Sequence, residues 1–221
     1  MSAPNVIQLR EMLSEKFPGA RLRLPEATAG ARRIWPTGCK PVDDLLGGGL
    51  PKGALTEITS AARSSGSASL LRLMLRQAAG ERQIAAVVDG ADSLDVTEME
   101  EAVLSRLLWV RCRSVSEALQ AADLLLRDNN VSLIFLDLAG NTAAQLRRVQ
   151  ATTWYRFQRL IEEAGTVCAV LTPRPMVAAA QTRIILNSKL SLDHLDWRLE
   201  ELPVQAEATE SHSAREQASS A

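Results

Sequence analysis

Short apolar runs alternate with helix-length amphipathic segments along most of the chain, and this alternation restricts the fold more than any other feature. "IAAVV" (84–88), "RLLWVR" (106–111), "SLIFLD" (132–137) and "TVCAVL" (166–171) are too short for core helices and have the residue types of strands. They are apolar continuously rather than at every second position, so each must be covered on both faces. "TEMEEAV" and "SEALQAADLLLR" lie between them with helical spacing. So does a long stretch in which Leu146, Val149, Thr153, Phe157, Leu160 and Ala164 share one face. Strands joined through helices of this length run parallel. The expectation is an α/β fold: a mostly parallel sheet with helices on both faces.

The two ends break the pattern. Asn5 and Gln8 are placed for a capping box, Val6, Leu9, Leu13 and Phe17 then share a helical face, and Pro18-Gly19 stops the helix. "ARLRL" (20–24) alternates as a strand, and "PEATAGARRIW" (25–35) reads as a linker. A short helix "PVDDLL", a turn "GGGLPKG", a strand "ALTEIT" and a helix "SLLRLMLRQAAG" follow. "TRIILNSKLSLDHLDWRLEEL" (182–202) has two extended segments and no helix, which predicts a C-terminal antiparallel hairpin on the sheet edge. From Pro203 onward there is no aromatic residue and little apolar surface, so this stretch reads as a disordered tail. The parts are therefore 1–24, an N-terminal helix and strand; 25–202, the core; and 203–221, the tail.

The 221 residues suffice for one well-buried core. A net charge of -1 supplies no general attraction to nucleic acid or membrane, so DNA contact is expected to be indirect or weak. Cys39, Cys112 and Cys168 are far apart without metal-ligand spacing, and His194 and His212 do not complete a metal set. No secretory leader is evident and no apolar run has the length of a membrane span, so a cytoplasmic protein without membrane contact is expected.

"TSAARSSGSAS" (59–69) stands between a strand and a helix, where a phosphate-binding loop GxxxxGK[ST] would stand. In such loops backbone N–H groups cradle the phosphates, Lys reaches the outer ones and Ser/Thr ligates magnesium. With Gly66 as the second glycine, Ala61 replaces the first, Ser67 replaces Lys and Ala68 replaces the hydroxyl; Arg63, Ser64 and Ser65 lie within the loop. Arg63 is either a substitute cation or a solvated loop residue. The loop reads as vestigial, with no cofactor expected beyond weak residual nucleotide binding.

The surrounding residues carry a resemblance. "PTGCKPVDDLLGGGLPKGALTEITSAARSSGSASLL" resembles the stretch leading into the nucleotide loop of RecA-type ATPases, which share a "TG…LD…LGGGLPxG…xEI" lead-in followed by "GPESSGKTTL". "AAVVDGADSLD" (85–95) is similar to their strand and turn "FIDAEHALD". "RLLWVRCRSVSEALQAADLLLRDNNVSLIFLDLAG" follows their order of strand, helix and acidic strand, and "LREMLSEKFPGARLRL" is similar to their N-terminal arm. The resemblance runs from about residue 6 to 190 and implies a degenerate RecA-like core at 25–202. It places the water-polarising glutamate at Ala91, between Asp89 and Asp92, and the nucleotide-sensing Asn-Gln pair at Thr172-Pro173. It places Asp137 where magnesium would be held through water, or where a carboxylate simply caps the next turn. Without the Lys, hydroxyl, Glu and Gln, no catalysis is expected.

The loops that grip DNA in RecA are reduced here to "LAGNTAAQ" and "PRPMVAAAQT". Arg147, Arg148, Arg156 and Arg159, with Trp154 and Tyr155 near them, form either a docking patch or a solvated helix face. Small size, a degraded loop, truncated DNA loops and a polar tail are similar to the ImuA family. These are RecA-like accessory proteins of bacterial translesion-synthesis cassettes, related to SulA-like division inhibitors. The resemblance implies a non-catalytic adaptor in error-prone synthesis whose partners are an ImuB-type polymerase homologue, an error-prone C-family DNA polymerase and RecA. Leu9, Met12, Leu13 and Phe17 are candidates for docking on RecA or for packing within the chain. A SulA-like division inhibitor and a weakly nucleotide-binding RecA-type ATPase stay open as alternatives.

Overall fold

The computed structural model describes residues 33–60, 64–194 and 197–210. Its centre is a seven-stranded sheet formed by β3 (Leu55–Thr59), β4 (Ala85–Asp89), β5 (Leu107–Arg111), β6 (Leu133–Asp137), β7 (Val167–Thr172), β8 (Thr182–Leu186) and β9 (Ala206–Glu210). The spatial order is β5-β4-β6-β7-β3-β8-β9; only β8 and β9 pair antiparallel. A separate two-stranded ribbon joins β1 (Ile34–Trp35) to β2 (Leu50–Pro51).

Helices cover both faces, as the continuously apolar strands require. α1 (Lys40–Leu45), α2 (Ser67–Gly80) and α3 (Glu101–Leu104) lie on one side, where Leu70, Met74 and Leu75 pack with Ile58, Val87, Phe135 and Leu171. α4 (Val115–Asp128), α5 (Ala143–Leu146) and α6 (Ala151–Ala164) supply Ala118, Ala122, Leu146, Phe157 and Ile161 to the other, against Leu55, Ala86, Ile134 and Val170. Local chemistry sets the helix ends. The Ser114 hydroxyl accepts from the Glu117 N–H at the start of α4, and Asn129 and Gly165 end α4 and α6 in the left-handed conformation.

Five sequence expectations are corrected. Ile34 and Trp35 form β1 rather than a linker, because Trp35 is buried at 1% exposure, donates its Nε1–H to Glu81 at 3.0 Å and meets the Phe135 ring. The long helix is two helices, interrupted at residues 147–150 after a capping box between Thr142 and Gln145. The buried stripe of α6 is Trp154, Phe157, Gln158 and Ile161, spaced i, i+3, i+4, i+7, in place of Thr153 and Leu160. Gln158 hid this stripe: it is polar but buried because its amide accepts from the Leu55 N–H at 2.7 Å and donates to the Gly53 carbonyl at 3.2 Å. "TEMEEAV" is helical only from Glu101.

The fifth correction concerns the C-terminal hairpin. β8 is its first arm, but the second is β9, beyond residue 202 and inside the stretch assigned to the tail. Residues 187–205 connect the arms through two short 3-10 turns, Leu192–His194 and Leu199–Glu201. An edge strand needs backbone pairing more than side-chain burial, so "AEATE" can close the sheet with alanines at alternate positions. Residues 211–221 and 1–32 lie outside the described residues, as does the expected N-terminal helix and strand.

The three-glycine turn has a steric cause at one position. A Cβ on Gly49 would stand 2.1 Å from the Trp35 carbonyl oxygen, at a φ of +145, so only glycine lets the β1–β2 ribbon close over Trp35.

Candidate functional site

The loop at 59–69 follows the carboxyl end of β3, the strand that has β7 on one side and β8 on the other. In parallel sheets this is where ligands are held. Gly66 takes φ +95 and stands at the N-cap of α2, so the first-turn N–H groups point toward the loop as they do around phosphates. Ser64 is exposed and also left-handed, Ser65 is buried, Ser67 is half-buried at the first helical position and Ala68 is exposed. Ala61 and Arg63 lie outside the described residues.

The chain itself packs on this loop. The Leu190 N–H donates to the Ser64 carbonyl at 3.0 Å. A Cβ on Gly66 would meet the Ser188 hydroxyl at 3.3 Å, and that hydroxyl accepts from the Gln205 N–H at 2.9 Å. The segment after β8 therefore packs against the loop. Position 67 carries a serine hydroxyl in place of an ammonium group, and Ala68 has no hydroxyl.

The neighbouring strand ends carry carboxylates committed to structure. Asp89 is fully buried; its oxygens accept from the N–H groups of Ala91, Ser93 and Leu94 and from the Trp109 indole at 3.3 Å. Asp92 pairs with Arg111 through two bonds of 2.6 and 2.9 Å, and this partner holds its carboxyl below the usual range. Both acids are thus engaged by groups of the chain itself, and Ala91 between them has only a methyl group. Asp137 lies opposite Asp89 across β4 and β6. Its carboxylate accepts from the Ala139 N–H at 2.9 Å, the turn-capping role. Burial pushes its pKa up to about 6, and the Asp89 charge adds to the rise while the Ala139 bond opposes it. The Thr172 hydroxyl is engaged by Glu57, and Pro173 has no N–H to offer.

Glu57 is the polar residue that sequence reasoning passed over. It is fully buried in β3, where Oε1 accepts from the Thr172 hydroxyl at 2.9 Å and from the Met176 and Val177 N–H groups at 2.7 and 3.1 Å. Oε2 pairs with Arg183 at 2.7 Å, its neighbour in the register of β8. One carboxylate so ties β3, β7 and β8 and fixes the turn after β7. The signal was present: a lone acid inside "ALTEIT" cannot be buried without a partner.

The arginine patch is less free than its spacing suggests. Arg156 pairs with Asp123 at 2.9 Å and Arg159 with Glu163 at 3.2 Å, while Arg147 and Arg148 are exposed between α5 and α6. Trp154 is in the core at 1% exposure, so of the two aromatics only Tyr155 is at the surface. Leu9, Met12, Leu13 and Phe17 lie outside the described residues. Among the described residues no cluster of three or more His, Cys, Asp or Glu side chains is arranged to hold a metal ion. Cys39, Cys112 and Cys168 are buried free thiols, and burial pushes Cys168 up to about 12. No described helix is long and apolar enough to cross a membrane.

No family model matches the chain. It is similar to Protein RecA of Desulfotalea psychrophila, 34% identical over 122 residues, which is 54% of this chain and 34% of that protein. The similarity to Protein RecA of Nostoc sp. is 33% over 121 residues, covering 54% and 34%. For Protein RecA of Methylococcus capsulatus it is 35% over 107 residues, covering 47% and 30%. The matched stretch thus spans about a third of the length of these curated relatives. Together with the mostly parallel seven-stranded sheet, the similarity marks a RecA-like α/β core.

Proposed function

We propose that the chain is a non-catalytic RecA-like adaptor of the ImuA type, serving damage-induced error-prone translesion synthesis through protein partners. The observation that carries this reading is the first turn of α2, where Ser67 and Ala68 occupy the positions of the phosphate-reaching Lys and the magnesium-binding hydroxyl. Phosphoryl transfer depends almost wholly on positioning and electrostatic stabilisation, and a single preorganised donor is worth about 3 kcal/mol in the transition state. Ala91 and Thr172-Pro173 add further losses at the strand ends. The packing of Ser188 and Leu190 on the loop supports the same reading, since these contacts give the loop a protein partner of its own. An ImuB-type polymerase homologue, an error-prone C-family polymerase and RecA are the partners this reading names.

Hydrolysis tests the non-catalytic half. Purified chain with magnesium and ATP is expected to release phosphate at the rate of a protein-free control, beside RecA assayed under the same conditions. Magnesium-dependent turnover abolished by Ser67→Trp would contradict the reading.

A further inference from the structure

A groove of about 830 Å³ runs along α2 between two surface segments. Glu98 and Glu100 line one bank, in a segment (95–101) that also carries exposed Asp95 and Glu101 and has no Lys or Arg. Glu200, Glu201 and Arg198 line the other, with exposed Asp193 in the same stretch of sequence. The floor has two arginines, and both are already matched. Arg72 binds the backbone carbonyl of Glu98 and lies 3.8 Å from its carboxylate. Arg76 binds Glu100 at 3.2 Å and also Glu200, joining the banks. Glu101 and Glu201 have no ion-pair partner among the described residues.

An anion entering this groove would meet Arg198 but would have to displace carboxylates from Arg72 and Arg76, whereas a cation would meet the unpaired Glu201 and the exposed acids of the two flanking segments. The groove also has an aromatic wall. Trp197 is 49% exposed, an uncommon state for so large an apolar side chain, and its ring packs edge-on to His194 at 4.7 Å. Half-buried Leu190, Leu199 and Leu202 line the same space. An open indole beside carboxylates is an environment that attracts guanidinium and ammonium groups. Partly buried leucines accept apolar side chains between them, and central aromatics carry much of the affinity at protein interfaces.

We propose that this groove docks a basic amphipathic segment of a protein partner, with Lys or Arg side chains over Trp197 and between the two acidic banks. The identity of that partner rests on the adaptor reading; the chemistry of the groove does not.

The test uses the full chain and three fluorescent probes: a short amphipathic Lys/Leu peptide, its Glu/Leu counterpart and a single-stranded oligodeoxynucleotide. The Lys/Leu peptide is expected to bind, more weakly as salt is raised. Trp197→Ala, and separately the double change Glu98→Lys with Glu201→Lys, should each weaken it by about tenfold or more. Both variants alter exposed side chains, and their thermal melts check that the fold is kept. Absence of Lys/Leu binding, equal binding by both variants, or preference for the Glu/Leu peptide or the oligonucleotide would overturn the proposal. Capture of partners from DNA-damaged host cells separates the two ideas. Polymerase-type partners recovered equally with wild type and Trp197→Ala would remove the groove and leave the adaptor. No partner with wild type, while peptide binding still depends on Trp197, would remove the adaptor and leave the groove.

Discussion

Arg183→Met is expected to destabilise the chain by about 3 kcal/mol, because it leaves a buried carboxylate without its counter-charge. Glu57 is wholly enclosed, so its charge cannot turn to water when the guanidinium is removed. Three donors remain on Oε1, from Thr172, Met176 and Val177, and these keep the cost from being larger; Oε2 loses the Arg183 bond. The Met side chain preserves most of the stem's packing, so the effect reports charge rather than volume. Adding Glu57→Gln to Arg183→Met should recover a large part of the loss, since the neutral amide can still accept on one side. Denaturant unfolding of the four members of this cycle measures the coupling. A cost below about 0.5 kcal/mol for Arg183→Met, the size of an exposed ion pair, would mean that water reaches Glu57.

Asp137→Asn is expected to change stability in the opposite direction, raising it by about 2 kcal/mol at pH 7. The folded-state pKa of about 6 lies above the ordinary aspartate value of 3.8, because burial and the Asp89 charge disfavour the carboxylate. Between those values the folded chain binds more protons than the unfolded chain, so stability falls as pH rises from about 4 to about 6 and stays low above. Asparagine carries no charge and can still accept the Ala139 N–H that Asp137 now binds. The gain should therefore be present at neutral pH and vanish below about pH 4. Thermal melts of both proteins across that range check it. Loss of stability on substitution at pH 7 would mean that the carboxylate is compensated in the folded chain.

The sheet was readable because its strands are apolar throughout and separated by helices, a pattern that few other folds accommodate. Its closure was not: Ala206–Glu210 pairs through backbone groups, and small side chains at an edge leave little hydrophobic signal. The face of α6 was misread for the opposite reason, since Gln158 is buried through three hydrogen bonds that no periodicity count registers. In the candidate site, the residue types at Ser67, Ala68 and Ala91 are read directly from the sequence. The Glu57–Arg183 pair and the Trp197 groove were not, since each joins residues more than a hundred positions apart. Sequence spacing gave Trp154 to the surface, whereas its indole lies in the core against Phe157.

The measurement that bears most directly on the account is affinity purification of the full chain from DNA-damaged host cells, with co-purifying proteins identified by mass spectrometry. The adaptor reading expects RecA or the two polymerase-type partners, enriched over undamaged cells and reduced when residues 1–19 are deleted. Recovery of the cell-division machinery instead, with neither RecA nor a polymerase, would contradict it.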